Sequence, residues 1–262
     1  MKNISKPSGW TASRIGLAGA FLLGGLAWAP AAPEVATAER TIPAHVMRIL
    51  AVGNRAPFRQ EVRDGIRHEV DPPEGSLPPA SVHVLSSSGE ESSDAEVSLR
   101  LGEVSSPFRF PVPGSGRIRL RDSGNQTWLE PSVSSAGATL VIAWKTGPTW
   151  TQVMSVSLDD SPAAIPEGAC RVVNASHVEI GVVLGNLRYR LPPGKSCVLA
   201  LEPGASTALL QILHSDPDGS LKAAFSTTVS RDSAIRRQWI VHRSDQPGAR
   251  RPIGIIPVFE PR

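Results

Sequence analysis

The sequence has few cysteines and few aromatic residues. Its 262 residues include two cysteines, one tyrosine and six tryptophans, and aromatic side chains make up 5% of the chain. Two cysteines exclude the multiply cross-linked scaffold of small secreted domains. Cys170 and Cys197 leave two alternatives open, a single disulfide or two unpaired thiols buried in one core.

The chain also lacks a large net charge. The formal charge is +3, and residues 1–38 contain three of the 27 basic and one of the 24 acidic residues. The remainder therefore has 24 basic against 23 acidic side chains. This near balance argues against a nucleic-acid partner, which would favour a strongly basic surface.

The N-terminal region has the layout of a secretory signal peptide. Basic residues precede an apolar stretch at 15–29, and small residues at 36–38 form a cleavage site. That stretch is shorter than the ~20 residues of a spanning helix, so we expect membrane attachment only if the segment is retained. We predict that residues 1–38 are removed and that the protein is exported, to the periplasm, the cell surface or the medium.

Helical periodicity is missing from residue 44 onward, and alternation of apolar and polar residues replaces it. Examples are EVSLRLG at 96–102, RIRLR at 117–121 and QVMSVSL at 152–158. The 24 prolines and 23 glycines separate such runs into short segments. This pattern predicts an all-β fold of short strands and tight turns, organised as β-sandwiches.

An internal similarity predicts two tandem modules. Residues 95–120 align with residues 178–201 through a strand, Leu-Gly, aromatic-Arg-apolar, Pro-Gly and a second strand. We therefore predict a first β-sandwich module with N-terminal strands at 44–160, a linker at 161–168 and a second module at 169–256.

Three segments of the second module resemble the immunoglobulin-like repeats of an uncharacterised family of bacterial secreted proteins. They are RVVNAS at 171–176, VEIGVVLG at 178–185 and WIVHRS at 239–244. The resemblance rests on strand patterns and includes no catalytic signature. It implies an extracellular β-sandwich without enzymatic activity.

YRLPPGKS at 189–196 ends like a phosphate-binding loop but fails its other requirements. Tyr189 stands where that motif needs its first glycine, and the residues that follow have a strand pattern where the motif requires a helix. We interpret Gly194 as a turn residue and expect no nucleotide partner.

The sequence contains no local cofactor or catalytic motif. No two of the six histidines lie within four residues of each other, which argues against a local zinc motif. There is no Gly-x-Ser-x-Gly elbow, and Cys197 alternates with core-type leucines. We therefore expect no cofactor and no enzyme, and predict a structural or adhesive protein of the cell envelope.

An alternative function is a carbohydrate-binding or small-ligand-binding module. It requires Trp128 and Trp150 to be exposed together on one face, where they can stack on sugar rings. Trp144 and Trp239 alternate with aliphatic residues and are expected in the core.

A row of arginines is the candidate interaction surface. Arg117, Arg119 and Arg121 share the outward face of one predicted strand, and Arg100 lies on another. Such a face suits an envelope protein or an anionic polymer as the partner. The competing explanation is that charges on outer strand faces keep a sheet soluble and block edge pairing.

Overall fold

A computed structural model describes residues 44–56, 59–85, 95–112, 114–216, 219–232, 234–244, 249 and 251–262. The predicted signal peptide at 1–38 lies outside these residues. Within the described ranges, no helix has the length and apolar character that crossing a membrane requires.

The all-β prediction is confirmed, because the described chain consists of strands and one short 3₁₀ helix at Pro162–Ala164. The strands are β1 Ala44–Val52, β2 Arg59–Arg63, β3 Ile66–Val70, β4 Ser81–Leu85, β5 Ala95–Ser98, β6 Phe108–Pro111, β7 Arg119–Arg121, β8 Thr127–Leu129, β9 Ala138–Lys145, β10 Val153–Asp159, β11 Ala169–Ala175, β12 Ile180–Leu184, β13 Leu187–Leu191, β14 Lys195–Ala200, β15 Thr207–Ser215, β16 Leu221–Ser230, β17 Ile235–Arg243 and β18 Ile253–Pro261.

The strands of the described residues form four four-stranded sheets and one hairpin. The first sandwich has an outer sheet, β5-β4-β7-β8, and an inner sheet, β10-β9-β1-β6. The second sandwich has an outer sheet, β13-β12-β15-β16, and an inner sheet, β14-β11-β17-β18. The hairpin β2-β3 is inserted after β1, and nearly all of its residues are exposed.

The same strand order occurs in both sandwiches once the hairpin is set aside. β1 then corresponds to β11, β6 to β14 and β9 to β17. The alignment of residues 95–120 with 178–201 does not follow this order, because it places β6 of an inner sheet on β13 of an outer sheet. Strands with alternating residues and Pro-Gly turns have similar sequences wherever they lie in a sheet. The predicted alignment therefore matches each aligned strand of the first sandwich with the strand before its true counterpart in the second.

Three layers of apolar side chains hold the four sheets together. One core fills the first sandwich and includes Met47 and Phe110, and another fills the second and includes Val172 and Trp239. A third layer, which we call the seam, packs the two inner sheets against each other through residues such as Leu50 and Ile240. Strands β9 and β11 are buried on both faces, which agrees with the nearly continuous apolar run of β9, whereas β11 also buries Arg171 and Asn174.

The predicted linker and the predicted end of the second module both contain residues that pack or pair with the rest of the protein. In the predicted linker at 161–168, Ile165 is fully buried and its carbonyl accepts a hydrogen bond from Arg262. The predicted end of the second module at residue 256 lies inside β18, which pairs with β17 up to Pro261.

One end of the seam contains a network of buried charges. Asp160 accepts hydrogen bonds from Arg48 and Arg236, and Glu260 also binds Arg48. Burial disfavours the charged guanidinium of Arg48, but the hydrogen bonds to Glu260 and Asp160 outweigh it and raise its pKa above the ordinary value. Because Arg48 is in the first sandwich and Arg236 in the second, the network joins the two.

Candidate functional site

A pocket of about 790 Å³ lies where three turns meet at one end of the first sandwich. We call it the tip pocket. The turns are the β3–β4 connection, the β7–β8 hairpin and the β9–β10 connection. Its lining residues are Glu74, Gly75, Leu77, Pro79, Asp122, Ser123, Gln126, Thr127, Trp128, Thr149, Trp150 and Thr151. Loops held at the end of a rigid sandwich are a common location for binding sites.

The β7–β8 turn is fixed by its own hydrogen bonds. The Asp122 carboxylate accepts the backbone N–H of Gln126 at 2.9 Å, and Asn125 adopts a left-handed conformation at φ 60°. Asparagine tolerates this conformation better than most residues do. The turn thereby places Asp122 and Gln126 on the wall of the pocket.

A backbone hydrogen bond joins two of the three turns. The Trp150 N–H donates to the Gly75 carbonyl at 2.8 Å. Gly75 has a φ of 70°, and a Cβ atom there would lie 3.0 Å from the Thr149 Cβ. Glycine therefore meets both a conformational and a steric requirement at this position.

The two tryptophans lie side by side in the wall of the tip pocket. Their ring centroids are 6.4 Å apart with an interplanar angle of 32°. Trp128 is half-buried and Trp150 is only 3% exposed. The requirement that both be exposed on one face is not met, because Trp150 is buried. Trp128 supplies the accessible ring.

The indole N–H of Trp128 is buried and has no acceptor among the described residues. A buried donor without a partner costs about 1–3 kcal/mol. An acceptor on a bound molecule or a water molecule that reached this N–H would remove that cost.

The polar lining of the tip pocket suits an uncharged, hydroxyl-rich ligand. Glu74 and Asp122 provide carboxylates, Gln126 provides an amide, and Thr149 and Thr151 provide hydroxyls whose oxygens lie 2.7 Å apart. None of the described lining residues is lysine, arginine or histidine. Such a lining hydrogen-bonds to hydroxyl groups and repels anions.

The sequence identified the tryptophans of this pocket but not its polar rim. Residues 74–79, 122–128 and 149–151 are far apart in sequence, and strand pairing brings their turns together. The local signals were the Asp122 and Asn125 turn and the isolated Gly75 after two prolines, which are typical of ordinary turns as well.

The predicted arginine face has the expected alternation, but two of its four arginines lie outside the strands. Arg117 and Arg119 are exposed and Arg121 is half-buried, while the alternating Ile118 and Leu120 enter the core. Two residues depart from the predicted strand placement: Arg100 follows β5, and Arg117 precedes β7 and forms only an isolated bridge with Ser132.

Polar partners already engage much of this face. Arg119 binds Glu130 at 2.7 Å, and Arg121 donates to the Asn125 amide oxygen at 2.8 Å. Arg100 lies 3.7 Å from Glu103, with both side chains well exposed. An anionic partner would compete with these contacts, and its binding here stays a prediction.

Both cysteines are free thiols on neighbouring strands. In the pairing of β11 with β14, Cys170 lies opposite Leu199 and Cys197 lies opposite Val172, so the cysteines are diagonal neighbours. Burial raises the pKa of Cys170 to about 12 and that of Cys197 to about 11. The structure thus has the unpaired alternative, with thiols that are poor nucleophiles at neutral pH.

The other residues of interest lie in a turn or in the core, where they support the fold. Gly194 adopts a φ of 71° in the turn before β14, as its interpretation as a turn residue requires. Trp144 and Trp239 are buried, in agreement with the prediction. His45 and Thr139 form a buried 2.8 Å contact between β1 and β9 that opens onto neither the tip pocket nor the seam.

Within the described part of the chain, histidine, cysteine, aspartate and glutamate side chains form no cluster of three or more that could hold a metal ion. Comparison of the chain with protein-family models and with curated proteins found no match.

Proposed function

We propose that this protein is an exported, non-catalytic binding protein of the cell envelope that holds a neutral saccharide in the tip pocket. The observation that carries the proposal is the placement of the half-buried Trp128 ring beside a carboxylate, an amide and two hydroxyls in one concave site. Apolar ring faces and convergent hydrogen-bonding groups are the two elements that sugar recognition needs.

Export is supported by the signal-peptide layout of residues 1–38. The resemblance of the second module to secreted immunoglobulin-like repeats supports the same location. An adhesive role agrees with a ligand site at the loops of a rigid sandwich, since loops there are accessible to large molecules.

Binding without catalysis is supported by the chemistry of the lining. Sugar hydrolysis commonly uses a free carboxylic acid and a free carboxylate, and the pocket has only Glu74 and Asp122 to offer among its described residues. One oxygen of the Asp122 carboxylate, Oδ1, already accepts the Gln126 N–H, so this group is fixed in the turn as a hydrogen-bond acceptor.

The proposal is tested by titrating the mature protein with neutral oligosaccharides built from glucose, mannose or N-acetylglucosamine. We expect one of these series to bind and to perturb the indole N–H signal of Trp128 in NMR spectra. Trp128→Ala should weaken binding about tenfold or more, because it removes the accessible ring. Asp122→Asn should also weaken binding, because it replaces a carboxylate acceptor.

Tyr189→Ala is the matched control, since Tyr189 is an exposed aromatic side chain on β13 of the second sandwich. Equal loss of binding in this variant, or no binding of any series, would contradict the proposed site. Reducing ends released from a bound oligosaccharide would show that the protein is a hydrolase, contrary to the proposal.

A further inference from the structure

A second cavity, of about 500 Å³, lies at one edge of the seam. We call it the seam cavity. Its lining includes Val52, Trp144 and Lys145 of the first sandwich and Ala175, His242 and Arg243 of the second. The volume is within the range of small-molecule sites.

The strand directions explain the position of this cavity. Each inner sheet contains a parallel pair, β1 with β9 in the first sandwich and β11 with β17 in the second. The final residues of these four strands, Val52, Lys145, Ala175 and Arg243, all line the cavity. Four C-terminal strand ends therefore meet at one edge of the seam, and the turns that follow enclose a space.

The cavity is basic. Lys145, His242 and Arg243 line it, and none of its described lining residues is acidic. The seam also contains two acidic side chains, Asp160 and Glu260, but both bind arginines that do not line the cavity, Arg48 and Arg236. Of those arginines, Arg236 lies six residues before His242 on β17, which places the acidic network roughly 20 Å along the strand from the cavity.

Arg243 differs from the other described C-terminal arginines. Those arginines donate to carbonyls, a serine hydroxyl or aspartates of the chain itself: Arg231, Arg236, Arg237, Arg251 and Arg262. The guanidinium of Arg243 is exposed and donates no hydrogen bond to the part of the chain that the structure describes. Its five N–H donors are therefore available to a ligand at the mouth of the cavity.

The walls of the cavity are held in place by contacts of their own. The His242 ring shares a hydrogen bond between Nδ1 and the Arg243 carbonyl at 2.9 Å and packs over Gly254, where a Cβ atom would lie 2.6 Å from the ring. On the opposite side the Thr146 N–H donates to the Gln152 carbonyl at 2.8 Å. A site with fixed walls loses little conformational entropy when a ligand binds.

The geometry points to the seam cavity as a binding site for a small organic anion, separate from the saccharide site of the tip pocket. The carboxylate or phosphate oxygens of the ligand accept hydrogen bonds from Lys145 and Arg243. Its apolar part contacts the Trp144 ring, which is 8% exposed and lines the cavity. Because both sandwiches supply lining residues, the bound ligand would bridge them.

The test uses benzoate and phenyl phosphate as anionic probes and benzamide as a neutral analogue of the same shape. Binding to the full mature chain is measured by calorimetry and by the indole N–H signal of Trp144 in NMR spectra, assigned with Trp144→Phe. We expect at least one anion to bind and shift the Trp144 signal, with benzamide binding more weakly. The stronger of the two anions identifies the carboxylate or the phosphate as the preferred group.

The double variant Lys145→Gln/Arg243→Gln should weaken anion binding about tenfold or more, with an unchanged melting temperature. Arg117→Gln is the matched control, because it removes an exposed arginine just before β7 of the first sandwich and should leave binding unchanged. Undiminished binding by the double variant, equal binding of benzamide, or no binding of either anion at about 10 mM would overturn the inference.

Discussion

The Arg236 guanidinium and the Asp160 carboxylate meet at 2.6 Å between Nη2 and Oδ1, and both side chains are buried at the seam. Arg48 binds the same carboxylate from the other sandwich, at 2.8 Å from Nε to Oδ2. One aspartate thus compensates two arginines that belong to different sandwiches.

Asp160→Asn should therefore lower the free energy of unfolding by about 3 kcal/mol, because it leaves the buried Arg236 guanidinium without a carboxylate partner and Arg48 with Glu260 alone. Urea unfolding measures the change. Glu130→Gln is the matched control: it removes the partner of Arg119 in an exposed ion pair and should cost about 0.5 kcal/mol or less. If the two variants lost equal amounts of unfolding free energy, burial would not be what makes the Asp160 network stabilising.

Gly75→Ala should destabilise the protein and weaken saccharide binding together. The substituted residue would keep a positive φ and press its Cβ against Thr149, beside the hydrogen bond to Trp150. Gly65→Ala separates the two effects, since Gly65 also has a positive φ of 76° but a Cβ atom there would meet no atom within 4 Å among the described residues. We expect Gly65→Ala to cost about 1 kcal/mol and to leave binding intact, whereas Gly75→Ala costs more. Similar results for both would show that the Thr149 contact is unimportant.

The fold class could be predicted from the sequence because alternation directly reports which strand face is buried. Ile118 and Leu120 enter the core while the alternating Arg117 and Arg119 are exposed, as their spacing predicts. Strand partners could not be predicted in this way. The parallel pairing of β1 with β9 joins residues about ninety positions apart, and no local pattern encodes it.

The candidate sites were predictable only in part for the same reason. Trp128 and Trp150 stood out by residue type, but their 6.4 Å separation depends on how three turns pack. The seam cavity was not predicted at all, since it exists only where two inner sheets meet. Residue type alone also does not show which arginines are available to a partner, since Arg236 and Arg262 bind the protein's own oxygens.

His45 should make folding sensitive to acid. Burial lowers its pKa below the ordinary value of 6.5, so the folded state favours the neutral ring. The stability that depends on this neutral form is fully present above pH 6.5 and is lost as the pH falls from 6.5 through the lower pKa of the folded state. His45→Gln should reduce the difference between unfolding free energies at pH 7.5 and pH 5. An unchanged difference would contradict the assignment.

The two thiols should be inert in the folded protein and should destabilise it at high pH. Their raised pKa values, about 12 and about 11 against 9.0 in the unfolded chain, keep both neutral at pH 8, so iodoacetamide should label them only after unfolding. The stability due to the neutral thiols is fully present below pH 9 and is lost as the pH rises through the folded values. Cys170→Ala/Cys197→Ala should therefore lose less stability than the parent between pH 8 and pH 10.5. If the unreduced, unfolded parent shows no titratable thiol, the cysteines are bridged and this prediction is wrong.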